Sequence, residues 1–165
     1  MIVRPETPAD YEAIAAVVGA AFVDEPVVVD VVAAIRASFE YRPEFSLVAD
    51  DDGAIVGHVM LSGLPIDGER ALQLSPLAVH PDRQRRGIGS ALVEAALAGA
   101  AEAGERLVCV EGDPRYYSRF GFRVSTELGV EAPPTSPAWA FQAIALADDH
   151  PRGQVTYPPA FDVVG

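Results

Sequence analysis

Seven consecutive residues, Arg83 to Gly89 within the stretch HPDRQRRGIGSAL, hold three arginines and two glycines. Those residue types suit an anion. If a helix begins there, its leading amides lack an intrahelical acceptor and its dipole adds partial positive charge. Gly87 and Gly89 keep side chains off those amides, while Arg83, Arg85 and Arg86 bring full charges to the rim. The combination fits a diphosphate. A phosphate loop of the NTPase type needs a Gly-Lys-Ser/Thr ending, and the chain has no lysine. A dinucleotide fingerprint needs a third glycine where Leu92 stands. The bland alternative is a solvated face at the start of a helix.

The remaining chemistry-bearing side chains read mostly as structure. Tyr116, Tyr117, Phe120 and Phe122 lie in GDPRYYSRFGF and could form an aromatic core wedge. Cys109, the only cysteine, sits in the apolar run RLVCVEG with no obvious histidine or cationic partner, so a small buried residue is expected. His58 falls mid-strand, which favours a hydrogen-bonded structural role, and His80 falls in a turn. Three scattered histidines do not have zinc-ligand spacing. Asp50, Asp51 and Asp52 read as a solvated turn.

At 165 residues, half of them hydrophobic, the chain is long enough for one domain with a hydrophobic core. A formal net charge of -12 argues against a nucleic-acid partner or a basic membrane-surface protein, because polyanions repel such a surface at long range. One cysteine excludes a disulfide framework. The first residues lack a leader pattern and no apolar run reaches membrane-spanning length, so a soluble, cytoplasmic protein is expected.

The elements that must position these residues follow from apolar periodicity. A strand at IVR is followed by a helix over YEAIAAVVGAAF, started by Thr7 or Asp10, and by a second helix over VVVDVVAAIRASFEY. FSLVAD and IVGHVMLSGL form a hairpin around DDGA, and ALQLSPLAV adds a strand. GIGSALVEAALAGAAEAG is a helix with few charges, stopped at Gly104, with Ile88, Leu92, Ala95 and Gly99 on one face. Such a helix must pack on a sheet. RLVCVEG and WAFQAIAL are further strands, with DPRYYSRFGF a short helix and turn between them. The proline-rich segment around Pro133, Pro134 and Pro137 and the tail from His150 onward read as surface loops.

Gln84-Arg85-Arg86-Gly87-Ile88-Gly89 resembles the Q/R-x-x-G-x-G/A signature of the GCN5-related N-acetyltransferase (GNAT) superfamily, and it follows a PLAVHPD strand and turn as that superfamily's acyl-CoA site does. Gly112 to Phe122 looks like its tyrosine-bearing segment, one helix and one strand further on, with Tyr117 four residues before Gly121-Phe122. The tail GQVTYPPAF resembles a carboxy-terminal extension of a bacterial subgroup of predicted N-acetyltransferases.

The resemblance implies an α/β fold: a mixed, twisted sheet with helices on both faces and strands splayed at the acyl-CoA site. It implies a single N-acetyltransferase domain over 1–165, with a core of about 1–147 and an extension over 148–165 packed on it. Acetyl-CoA is the implied cosubstrate, with no metal. Its pantetheine arm would pair with the backbone of Leu77, Ala78 and Val79, where Pro76 interrupts the ladder. Its pyrophosphate would fall on the amides of Arg85, Arg86, Gly87, Ile88, Gly89 and Ser90, with Gln84 also among the implied cofactor-binding residues. The amine of a small molecule or peptide would attack directly, the amide of Leu77 would polarise the thioester carbonyl, and Tyr117 would protonate the departing thiolate. The base stays open. Gln73 and Ser75 stand where family members often carry a glutamate, leaving Glu111, His80, Asp24 and Glu25 acting through water, or no dedicated base. A homodimer is compatible with the reading. Two rivals remain: a non-catalytic acyl-CoA sensor, and a nucleotide-phosphate enzyme using the same loop.

Overall fold

The computed structural model of the protein describes residues 1 to 164. Strand β1 (Ile2–Pro5) leads through a 3-10 turn into helix α1 (Tyr11–Ala21). Asp10 takes the amide of Thr7 at 2.8 Å and receives Arg4, so the turn before α1 is tied at both ends. Helix α2 (Val27–Arg36) stops well short of the expected Tyr41. The Ser38 hydroxyl donates to the Ile35 carbonyl at 2.8 Å, taking an acceptor that another helical turn would need, and Phe39 is left exposed.

Strands β2 (Ser46–Asp51), β3 (Ala54–Ile66) and β4 (Glu69–Val79) form a meander; helix α3 (Ile88–Glu102) then crosses to β5 (Leu107–Glu111). After helix α4 (Pro114–Tyr117) come β6 (Arg123–Val124), β7 (Val130–Glu131), β8 (Phe141–Ala145) and β9 (Gly153–Gln154). The main sheet has seven strands in the order β1-β2-β3-β4-β5-β8-β6, and β7 pairs with β9 separately. Every neighbouring pair in the main sheet is antiparallel except β4 and β5. The expected mixed sheet with helices on both faces is what the chain forms.

The two faces carry different cores. Helix α3 buries Ile88, Leu92, Val93, Ala96 and Ala100 against Leu61, Leu72 and Val108. That stripe is rotated by about one residue from the expected one, because the small Ala95 and Gly99 lie toward the edge of the contact. On the opposite face α1 and α2 pack over Val48, Met60 and Ala78.

The tail is not a surface loop. Strand β9 pairs with β7, Val155 bridges to Ile66 and is buried, and Ala160 enters the α1/α2 core. A 3-10 helix over Pro159–Val164 ends the described chain. Its apolar residues Val155, Ala160 and Phe161 are too widely spaced to give a clear two- or 3.6-residue period.

Candidate functional site

The opening of α3 has the form that the arginine and glycine spacing calls for. Gly87 precedes the helix at φ 81°, and a Cβ built there would meet no atom within 4 Å. Arg85 is also left-handed, at φ 65°. A non-glycine residue held there is strained, and such strain gathers at ligand clamps. The first helical bond runs from the Ala91 amide to the Gly87 carbonyl at 3.0 Å, so the amides of Ile88, Gly89 and Ser90 come before any intrahelical acceptor. Arg85, Arg86 and Gly87 are exposed, and among the described residues neither arginine has an ion-pair partner. Arg83 is different: it donates to Asp51 at 2.6 Å and is held away by the β2–β3 turn. Ile88 is buried, so only its backbone can serve a ligand.

Next to this helix start, the sheet opens. Strands β4 and β5 pair only at Leu72–Val108 and Gln73–Cys109. Beyond that point Ser75 and Pro76 together face the single residue Met60 on β3, a bulge that turns β4 away. Pro76 has no amide hydrogen to offer the ladder. The His80 amide bonds Val56 of β3 at 2.9 Å; by the two-residue alternation of a strand, Ala78 faces β3 while the amides of Leu77 and Val79 face the open edge. The Ala78 side chain lies in the α1/α2 core, leaving backbone alone for recognition. Gln84 donates from Nε2 to the Val79 carbonyl at 3.2 Å, so in this state its side chain holds the strand end.

Tyr117 stands on the α3 face, half-buried, edge-on to Tyr116 and Phe122 at centroid distances of 5.0 and 5.7 Å. The ring lies on Gly112, where a Cβ would come within 2.6 Å of it. Burial, with a smaller contribution from Tyr116, pushes its hydroxyl up to about 12. The group therefore stays protonated at neutral pH. Tyr116 carries a role that sequence reasoning missed: its hydroxyl lies 2.7 Å from where a Gly89 Cβ would be, against the first turn of α3. Only the spacing of the two tyrosines hinted at it.

A cleft of about 660 Å³ opens on the other face of the sheet, beside the splay. Gln73 and Ser75 of β4 and Glu111 of β5 form its floor, Glu25 and the first turn of α2 one wall, and Tyr157, Phe161 and Asp162 of the tail another. Tyr157 and Phe161 stack at 5.4 Å, and the Tyr157 hydroxyl meets Ser136 at 3.4 Å. Burial first, and then the nearby Glu111 carboxylate, push that hydroxyl above its ordinary value against the Ser136 hydrogen bond. Of the open candidates for a base, Glu25 and Glu111 line the cleft; Asp24 and His80 do not.

The other candidates settle into structure. Cys109 is fully buried and burial pushes its thiol up to about 12, so it is no nucleophile. His58 sits with Glu6, Ser46, Arg36 and Tyr41 in a buried network: Glu6 takes Arg36 at 2.7 Å, Tyr41 at 2.7 Å and His58 at 3.2 Å, and the Ser46 hydroxyl donates to it as well. His80 accepts the Asp82 amide at 3.2 Å and caps a turn. Asp50 and Asp51 are ion-paired with Arg4 and Arg83 rather than merely solvated. Among the described residues no group of His, Cys, Asp or Glu could hold a metal, and no helix is long and apolar enough to cross a membrane.

A helix start with open amides and unpartnered arginines, beside parallel strands that part, sets the chain in a class of α/β protein shaped for an anionic ligand. The sequence model of the acetyltransferase (GNAT) domain matches residues 42–124, and the chain belongs to that family. It is 32% identical to an uncharacterized N-acetyltransferase of Escherichia coli, YhbS, over a match covering 73% of this chain and 83% of that one. The crystal structure of Escherichia coli YhbS in complex with CoA superposes with a TM-score of 0.90 at 30% identity, covering 98% of this chain and 91% of that one. A GNAT family acetyltransferase from Brucella melitensis in complex with acetyl-CoA superposes at 0.83 and 35% identity, covering 98% and 97%.

Proposed function

We propose that the protein is a single catalytic unit over 1–165 that transfers the acetyl group of acetyl-CoA to the amine of a small molecule or peptide, in the cytoplasm. The observation that carries this is the juxtaposition of unpaired amides and unpartnered Arg85 and Arg86 at the start of α3 with the open edge of β4. The amides of Gly87, Ile88, Gly89 and Ser90 would take the diphosphate, with both arginines at its rim. Leu77 and Val79 would pair with the pantetheine arm as an added strand. Bound acetyl-CoA supplies an activated acetyl thioester. The Leu77 amide would polarise its carbonyl, a contact of a kind whose removal typically costs roughly 3 kcal/mol.

The reaction balances without a further reagent. An ammonium acceptor first loses one proton to solvent or to a cleft carboxylate. The nitrogen–carbon bond forms as the carbon–sulfur bond breaks, Tyr117 gives its proton to the sulfur, and the proton lost from nitrogen restores the tyrosine. The raised proton affinity of the Tyr117 hydroxyl keeps this donor loaded at neutral pH. Free-thiol release from acetyl-CoA in the presence of an amine panel tests the reading: release that depends on the amine supports it, and bound acetyl-CoA with no release from any amine contradicts it.

A further inference from the structure

Three carboxylates, Glu25, Glu111 and Asp162, border the cleft, and no arginine, lysine or histidine lines it. None of the three has an ion-pair partner among the described residues, whereas Glu6, Asp10, Asp51 and Glu105 each take an arginine. Uncompensated charge of one sign around a partly apolar cavity raises the local concentration of the opposite charge. The walls between the carboxylates are hydrocarbon and ring: Val27, Val28 and Val31 on one side, stacked Tyr157 and Phe161 on the other.

A second, independent feature marks the same cavity as a binding site. Gln73 lines it, is 5% exposed, and has an Nε2 that meets no hydrogen-bond partner. A buried amide donor left unmade costs about 1–3 kcal/mol, which an oxygen acceptor on a ligand reaching the cleft floor would recover. The floor of the cleft thus asks for an oxygen acceptor, its rim for positive charge, and its walls for an apolar stem.

We propose that the acceptor is a dication: a primary amine to be acetylated, joined by an apolar stem bearing a hydroxyl or carbonyl oxygen to a second cationic group. That second group would be held by Asp162 and Glu25, making the tail from Tyr157 to Asp162 the element that sets specificity. This rests on the acetyltransferase reading above. The carboxylates select by charge and Gln73 by hydrogen bonding, so the two contributions separate by mutation.

The test compares three acceptors of equal length on the full chain with acetyl-CoA: a hydroxylated α,ω-diamine, the monoamine lacking the second nitrogen, and the amino acid with a carboxylate in its place. Expected is a kcat/KM at least tenfold higher for the diamine than for the monoamine, with the amino acid lowest. Asp162→Asn and Glu25→Gln should narrow the first ratio to below threefold by raising KM for the diamine. Gln73→Leu should weaken hydroxylated acceptors only. Equal use of the amino acid, or a ratio untouched by both charge-removing variants, overturns the proposal. If no amine releases thiol, the acetyltransferase reading fails by itself. Calorimetric binding of the same three compounds to the CoA-loaded protein then decides this one: tighter diamine binding that Asp162→Asn abolishes sustains it, and no preference overturns it.

Discussion

Two polar regions of this molecule differ in how completely their groups are matched. Around Glu6 the carboxylate is answered from every side: Arg36, Tyr41, Ser46 and His58 converge on it, and only His58 Nδ1 in this cluster has no partner. At the start of α3 and in the cleft, Arg85, Arg86, Glu25, Glu111 and Asp162 have none among the described residues. A matched buried cluster holds a fold together, since a partner removed there leaves an uncompensated charge. Unmatched groups on pre-shaped backbone are the mark of a site whose partner arrives from solution. Polarity alone therefore says little about function here; the unfilled valence does.

Breaking the matched region should give the largest effect. Glu6→Gln strands the half-buried Arg36 cation and is expected to lower stability by about 3–5 kcal/mol, with a fall in Tm on the order of 10 °C, while CoA affinity measured well below the transition stays unchanged. Chemical denaturation of the two proteins checks this. Tyr117→Phe comes next: kcat should fall about 100-fold or more while acetyl-CoA binds as before, because the ring still packs on Gly112 and Phe122. Steady-state kinetics beside calorimetry separates the two quantities.

Smaller changes follow at the helix start. Arg85→Ala and Arg86→Ala should each weaken CoA about tenfold, the size of one charge-assisted contact, and the loss should shrink at high salt. Arg83→Ala, whose guanidinium already serves Asp51, should change CoA affinity least. Smallest is a pH effect on the matched cluster. Burial keeps His58 neutral below its ordinary value; burial opposes ionisation of Glu6, but hydrogen bonds from His58, Arg36, Ser46 and Tyr41 outweigh it and hold the carboxyl well below the usual range. Both groups bind protons more readily when unfolded, so the His58 contribution drains away as pH falls below about 6.5 and the Glu6 contribution as pH falls below about 4.5. Tm should decline as pH falls from about 6.5, and below about pH 4.5 the decline should be shallower in Glu6→Gln.

How much of this was legible beforehand depends on how local each feature is. The open form of the α3 start was readable because Gly87, Gly89 and the arginines lie within two helical turns, and the bulge because Pro76 alone removes a donor. The paired tyrosines were readable as a group, but the contact of Tyr116 with Gly89 joins segments 27 residues apart and needed the fold. The cleft was not legible: Glu25, Gln73, Glu111 and Asp162 come from four separate stretches, and the residue types that wall it look ordinary in each. The tail was misread as loop because its buried residues follow no strand or helix period. The end of α2 was overrun because periodicity continues past Ser38, whereas a single hydroxyl-to-carbonyl bond stops the helix.

The central claim is that coenzyme A is held by free backbone amides at the start of α3 and along the parted edge of β4. A ¹H–¹⁵N spectrum of the full chain titrated with CoA addresses those amides one by one. The account predicts large shifts for Gly87, Ile88, Gly89 and Ser90 together with Leu77 and Val79, and little change at Glu6, Ser46 or His58. Saturable binding that leaves the α3 amides unmoved, with shifts confined to the acidic cleft, would contradict it.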